Sequence, residues 1–172
     1  MGKSKVRNTL HSEAETPADI VFFLADAVGM PKVTMSEVAA DLLKIVPDPI
    51  LAGGFAMAHH GHIRGTIDFD VIVVAPIRSM IEQFVSLGYK HESIRLDIGD
   101  LDLLTKGNKG VDFIRLENEA FQKSIEKRAV SGWLYKAQVR YVSLEDMILL
   151  KSLAVKGRTG RWDQGDLSAL LE

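Results

Sequence analysis

The segment that most constrains this chain runs from residue 53 to 74 and reads GGFAMAHHGHIRGTIDFDVIVV. Its second half, residues 66–74, is β-branched or apolar at almost every second position, which predicts a β-strand. Asp68 and Asp70 are two residues apart on that strand, so their side chains share one face, with roughly 7 Å between the Cα atoms. The neighbouring apolar residues would point to the opposite face and into the core: Ile67, Phe69 and Val71.

The acid pair needs a physical explanation. Two carboxylates this close repel each other, and the repulsion either raises one pKa or requires a cation. Oxygen ligands favour Mg²⁺ or Mn²⁺ over zinc, and the chain contains no cysteine that would supply a thiolate. An antiparallel sheet with one solvated face would produce the same pattern without any ligand. On spacing alone, both interpretations are open.

Gly53 and Gly54 follow the short apolar run 50–52 and precede a segment that is compatible with a helix, residues 55–62. Backbone N–H groups at such a turn can hold a phosphate, although a Gly-Gly pair alone usually indicates only a turn. Together with the acid pair, the turn would provide donors for a triphosphate and ligands for a metal. Nucleotidyl transfer requires both.

Composition limits the class of protein. The 172 residues are 47% hydrophobic and 26% charged, which predicts one folded domain with a core. The net charge of −2 gives no general reason to expect binding to nucleic acid or an anionic membrane. No apolar run approaches the ~18 residues of a membrane span, and no secretory segment follows the first residues. We therefore expect a cytoplasmic protein with no membrane partner.

The patterning along the chain predicts an α+β fold with a mixed or mostly antiparallel sheet and helices packed on it. A polar arm, residues 1–15, precedes a single domain, residues 16–172. Residues 16–46 would form two N-terminal helices, the first ended by Gly29, and residues 50–172 would form the core. The core is expected to contain a helix at 77–89, a strand meander at 89–116, a helix at 117–130, a strand at 137–143 and two C-terminal helices.

The segment 53–73 resembles the signature of the nucleotidyltransferase superfamily related to DNA polymerase β. Within it, the segment is most similar to the small bacterial branch that contains the abortive-infection (AbiEii-type) toxins and minimal nucleotidyltransferases. That signature combines two small residues, an apolar helix, a glycine and Arg-x-Thr-x-Asp-hydrophobic-Asp. The matching positions are Gly53, Gly54, Gly61, Arg64, Thr66, Asp68 and Asp70. The resemblance extends to the end of the chain, because residues 143–171 are similar to the family's C-terminal helix pair.

The resemblance implies a metal-dependent enzyme that moves an NMP from an NTP to an acceptor hydroxyl on a protein, a tRNA or a small molecule. The implied cofactor is Mg²⁺ or Mn²⁺. The catalytic and metal-binding residues would be Asp68, Asp70 and a third carboxylate, for which Asp112 in GVDFIRL is preferred over Asp102 and Asp97. The implied nucleotide-binding residues are Gly53, Gly54, Arg64, Thr66 and Lys151. Either Arg158 or Arg161 would fill the family's arginine position, near Asp163 and Asp166.

Three biological settings are open. The toxin-like sequence motif favours a toxin–antitoxin or phage-defence role, with a protein partner or a homodimer. Aminoglycoside and lincosamide adenylyltransferases share the Gly-Gly and Asp-x-Asp elements, so an antibiotic-modifying enzyme is an alternative. A module that binds a nucleotide or a partner without turnover is the third, although it would have no use for a third carboxylate. His59, His60 and His62 are too unevenly spaced to bind one ion and are expected at a solvated helix end.

Overall fold

The computed structural model describes residues 16–27, 33–74, 76–157 and 161–171. The polar arm, the stop expected at Gly29 and the candidate Arg158 lie outside these residues. The side chains of Arg161, Trp162 and Asp163 are also outside the described part of the chain.

The described residues form seven helices and seven strands. The helices are α1 (Pro17–Ala27), α2 (Met35–Ile45), α3 (Gly53–His59), α4 (Arg78–Ser86), α5 (Glu119–Arg128), α6 (Leu144–Gly157) and α7 (Arg161–Leu170). The strands are β1 (Ile50–Leu51), β2 (Asp68–Ile72), β3 (Lys90–Leu96), β4 (Gly99–Lys106), β5 (Lys109–Leu116), β6 (Val130–Leu134) and β7 (Ala137–Tyr141). No helix among the described residues has the length and apolar character needed to cross a membrane.

The strands form one mixed sheet in the order β3-β4-β5-β2-β1-β7-β6. The meander β3-β4-β5 is antiparallel, as predicted, whereas β2 runs parallel to β5 and β1 runs parallel to β7. β2 and β1 are antiparallel. The predicted α+β class with a mixed sheet is therefore confirmed. The central position of β2 places the acid pair in the middle of the sheet.

Helices α2 and α4 pack on the face of the sheet opposite to the acid pair, together with α3, whose Phe55 ring stacks on Phe69 of β2. α2 begins with a capping box: the Thr34 hydroxyl accepts the Glu37 N–H at 3.2 Å, and the Glu37 carboxylate accepts the Thr34 N–H at 2.9 Å. From α4, the Phe84 ring meets the Phe113 ring of β5 edge to face, with the centroids 5.8 Å apart. The Tyr89 hydroxyl donates to Asp41 of α2 at 3.0 Å. This packing buries one face of the central strands and leaves the other face for α6 and the site.

Two sequence-based expectations differ from the structure. Phe69 and Val71 are fully buried, as predicted, but Ile67 is 54% exposed because it precedes β2 and does not follow its alternation. Strand β6 was not predicted. It is an edge strand with Gly132 at its centre and mostly exposed side chains, and therefore lacks the apolar alternation that identifies a buried strand. It pairs with β7 through a turn at Tyr135, whose φ is 51°.

Candidate functional site

Strand register brings three aspartates to one face of the sheet. β2 and β5 are parallel neighbours, and Asp70 is the register partner of Asp112. Directly paired residues of adjacent strands point to the same side, so these two carboxyl groups share a face. Asp68 lies two residues before Asp70 and points the same way. All three are half-buried. The structure thus places together the three residues that the sequence suggested as a group.

The two rivals for the third position lie elsewhere. Asp102 of β4 is paired with Phe113, which puts it on the opposite face of the sheet. It is 3% exposed and lies 2.8 Å from the His91 Nε2 atom. Asp97 lies in the turn between β3 and β4 and is exposed at the wall of the cleft described below. Of the three candidates, Asp112 is the one beside Asp70.

The electrostatics of the three aspartates are unfavourable in the absence of a cation. Burial, followed by the negative charges of Asp70 and Asp68, raises the pKa of Asp112 from its ordinary 3.8 to about 8. Asp112 therefore carries a proton at neutral pH when no cation is bound. A cation bound beside the three aspartates would offset their negative charges and thereby lower the pKa of Asp112.

The same groups can be tested as ligands for a divalent cation. Within the described residues, no three acidic or histidine side chains converge closely enough to complete a metal site by themselves. Mg²⁺ in nucleotide sites is usually held by one or two carboxylates together with substrate phosphates, not by an all-protein cage. The hard oxygen donors of Asp68 and Asp70 fit that role, since the thiolates that favour softer metals are absent from the sequence.

The Gly-Gly turn lies directly against the acid pair. The Ala52 N–H donates to the Asp70 carbonyl at 2.8 Å, and α3 begins at the next residue. Gly53 has a φ of +52°, and a Cβ added to it would lie 1.6 Å from the Asp70 Oδ2 atom. A Cβ on Gly54 would lie 2.7 Å from the Thr66 Cβ atom. Glycine is therefore required at both positions for the backbone to approach β2 and its carboxylates.

We expect Gly53→Ala to be strongly disruptive, because the new methyl group would overlap the Asp70 carboxylate and the residue would keep a left-handed φ. The free energy of unfolding should fall by about 1–3 kcal/mol, measured by urea denaturation. Gly65→Ala is the matched control, since a Cβ there meets no atom within 4 Å. Equal stabilities for the two variants would contradict the close approach at residue 53.

Thr66 orients one member of the acid pair. Its hydroxyl donates to the Asp68 Oδ1 atom at 2.7 Å, and Thr66 is only 9% exposed. A hydrogen bond to a carboxylate from a buried, fixed donor restricts the rotamer of that carboxylate. Thr66 therefore fixes the orientation of the Asp68 carboxylate. This role explains why a threonine lies two residues before the first aspartate.

Lys151 and Arg64 converge on a fourth acid, Asp166, which the resemblance had placed only near the family's arginine position. Lys151 Nζ lies 2.8 Å from Asp166 Oδ2, and Arg64 Nε lies 3.1 Å from Asp166 Oδ1. The ion pair that the structure shows for Arg64 is with Asp166 of α7. The contact joins segments that are distant in sequence, so no local pattern indicated it.

These groups line one cleft of about 480 Å³. Its polar wall is formed by Gly53, Arg64, Thr66, Asp68, Asp70, Arg95, Asp97 and Lys151. Its apolar wall comes from the β3-β4 region, β5 and α6, and includes Leu96, Ile98, Leu101, Ile114, Met147, Leu150 and Leu153. Carboxylates, cations and an apolar surface therefore meet in a cavity of the size that holds small ligands.

The histidines next to the turn have packing roles. The His59 ring stacks on Tyr141, with the centroids 4.2 Å apart, and the His60 Nε2 atom lies 2.7 Å from the Val142 carbonyl. Burial, and then the neighbouring His60, lowers the pKa of His59. The expectation of a solvated helix end is therefore wrong for these two residues, because both contact the segment that leads into α6.

Comparisons with known proteins add little to this geometry. No protein-family model matches the chain, and no curated protein matches it significantly. Among solved structures, it is similar to that of a cytoplasmic RNA terminal U-transferase, with 17% identity and a TM-score of 0.32. The similarity covers 64% of this chain and 39% of the other chain. A likeness with this TM-score does not support an inference about function. Any such inference must come from the residues of the cleft.

Proposed function

We propose that this protein is a metal-dependent nucleotidyltransferase that moves an NMP from an NTP to an acceptor hydroxyl. One observation supports the proposal above all others. Asp68, Asp70 and Asp112 share a face of the sheet, and Lys151 and Arg64 line the cleft that Asp68 and Asp70 also line. A triphosphate with a divalent cation would satisfy both sets of charges.

The cleft residues would divide the work of binding. Lys151 and Arg64 would contact the β- and γ-phosphates, because their positive charges are placed in the same wall as the acid pair. Gly53 and Gly54 would bring the backbone of the turn close to β2, where its N–H groups would donate to the phosphates. The apolar wall would pack against the nucleoside. The protein would thus supply position and charge, as is typical of phosphoryl transfer.

The carboxylates Asp68 and Asp70 would hold Mg²⁺ or Mn²⁺, with Asp112 as a further oxygen ligand. When bound, the ion would neutralise charge on the phosphates and on the leaving pyrophosphate. Thr66 would keep Asp68 in its binding rotamer through the 2.7 Å hydrogen bond.

Asp112 would also take part in the chemical step. Its carboxylate would accept the proton of the acceptor hydroxyl while the acceptor oxygen attacks the α-phosphorus. The new P–O bond forms as the bond from the α-phosphorus to the bridging oxygen breaks, and pyrophosphate leaves.

Thermal melting with each of the four NTPs, with and without Mg²⁺, tests the proposal. A ligand at 100 times its Kd should stabilise the protein by about 2.7 kcal/mol, which shifts Tm by several degrees. We expect at least one NTP to raise Tm only when Mg²⁺ is present, and Asp68→Asn to abolish that shift. Asp41→Asn, on α2 at the opposite face, is the control and should respond like wild type. If no NTP raised Tm at any Mg²⁺ concentration, the proposed function would be wrong.

A further inference from the structure

We infer that Asp166 is a positioning residue of the nucleotide site, which holds Lys151 and Arg64 as a fixed pair for the triphosphate. The inference rests on the proposed function, since it assigns a role to Lys151 and Arg64 of the same cleft. It gives a specific role to Asp166 of the C-terminal helix α7, which the resemblance had placed only near the family's arginine position.

The geometry is that of a bridge. Each oxygen of the Asp166 carboxylate lies near a different cation: Oδ2 is 2.8 Å from Lys151 Nζ, and Oδ1 is 3.1 Å from Arg64 Nε. Asp166 is only 6% exposed. A buried carboxylate is costly unless it is paired, so the two nearby cations offset the cost of burying Asp166. The bridge also connects α6, α7 and the loop before β2.

The charges explain why a bridge is needed. Two cations close together repel, and a lysine on its four-carbon stem can move away from a neighbour at little cost. One carboxylate between them offsets part of the repulsion and leaves a net charge of +1 in that group. Fixed charges stabilise a polyanion better than mobile ones, because no reorganisation is required during the reaction. Asp166 therefore places the positive charge without cancelling it.

A double-mutant cycle with Mg²⁺–tripolyphosphate as the probe tests this role without requiring activity. The four proteins are wild type, Lys151→Met, Asp166→Asn and the double variant, and isothermal titration calorimetry gives each affinity. We expect Lys151→Met to weaken binding by about tenfold in wild type, but by less than about threefold when residue 166 is asparagine. Equal losses in the two backgrounds would overturn the inference.

Two further variants separate positioning from charge and from stability. Asp166→Glu keeps the charge but lengthens the bridge, so it should weaken tripolyphosphate binding by about threefold or more, and unchanged affinity would count against the inference. If Asp166→Asn does not fold, the affinity of Asp166→Glu tests the inference in its place. Asp146→Asn is the matched control: Asp146 is 2% exposed and paired with Arg128, but it does not line the cleft. It should lower Tm and leave the affinity unchanged.

The outcomes distinguish this inference from the proposed function. If tripolyphosphate binds with a coupled cycle but no NTP stabilises the protein, the inference stands and nucleotidyl transfer is wrong. If an NTP binds and the cycle is additive, only the role of Asp166 is wrong. Failure of wild type to bind tripolyphosphate at all would overturn the inference, because Lys151 and Arg64 would then not form a phosphate site, and the NTP melting experiment would still decide the proposed function.

Discussion

Asp70→Asn is expected to lower the rate of nucleotidyl transfer by about three orders of magnitude while leaving the fold intact. Asp70 is the register partner of Asp112 and lies against the Gly53 backbone, so it is at the centre of the proposed site. Loss of one fixed electrostatic group in an active site costs about 10²–10³ in kcat, and a shared ligand of the metal should be at the upper end. Pyrophosphate release from the NTP that stabilises the protein measures the rate.

The stability of the Asp70→Asn variant distinguishes loss of chemistry from loss of structure. The substitution removes one of the negative charges that raise the pKa of Asp112, so its Tm should equal or exceed that of wild type in metal-free buffer. Asp41→Asn serves again as the control for an aspartate outside the cleft. A wild-type rate for Asp70→Asn would rule out the assignment of the site.

Asp112→Asn is expected to stabilise the metal-free protein at neutral pH by about 2 kcal/mol or more. The pKa of Asp112 is about 8 in the folded protein and near 3.8 in the unfolded chain. Between these values the folded state keeps a proton that the unfolded state has released. The stability of wild type should therefore fall as pH rises from about 4 to about 8, by up to about 1.4 kcal/mol per pH unit.

Urea denaturation from pH 5 to pH 8 in the presence of a chelator measures this effect. The curve for wild type should decline with pH relative to that of Asp112→Asn, in which the titrating group is absent. Addition of Mg²⁺ at pH 8 should stabilise wild type more than the variant, since Asp112 is a proposed ligand. Parallel curves for the two proteins would show that Asp112 titrates at its ordinary pKa.

Much of the fold could be predicted from local patterns. The alternation in β2 and the helix expected within residues 77–89 are properties of adjacent residues, and the structure confirms the corresponding elements β2 and α4. Strand β6 was missed because an edge strand is largely exposed and needs no apolar face. Its position is set by pairing with β7, a contact that its own residues do not indicate.

The choice among Asp97, Asp102 and Asp112 illustrates the limit for the site. All three follow or interrupt apolar residues, and alternation within one strand says only which neighbours share a face. The register of β5 against β2 puts Asp112 beside Asp70, whereas the register of β4 against β5 puts Asp102 on the opposite face. A shift of one residue would exchange these faces.

By itself, the sequence determined that Asp68 and Asp70 share a face, because the side-chain period of a strand is two wherever the strand lies. It also determined that two glycines precede them, which permits a close backbone approach. The tertiary structure alone decided that Gly53 lies against Asp70, that Asp112 joins the pair, and that Asp166 bridges Lys151 and Arg64. These contacts join residues far apart in the chain, and the packing of α6 and α7 and the pairing of β2 with β5 create them.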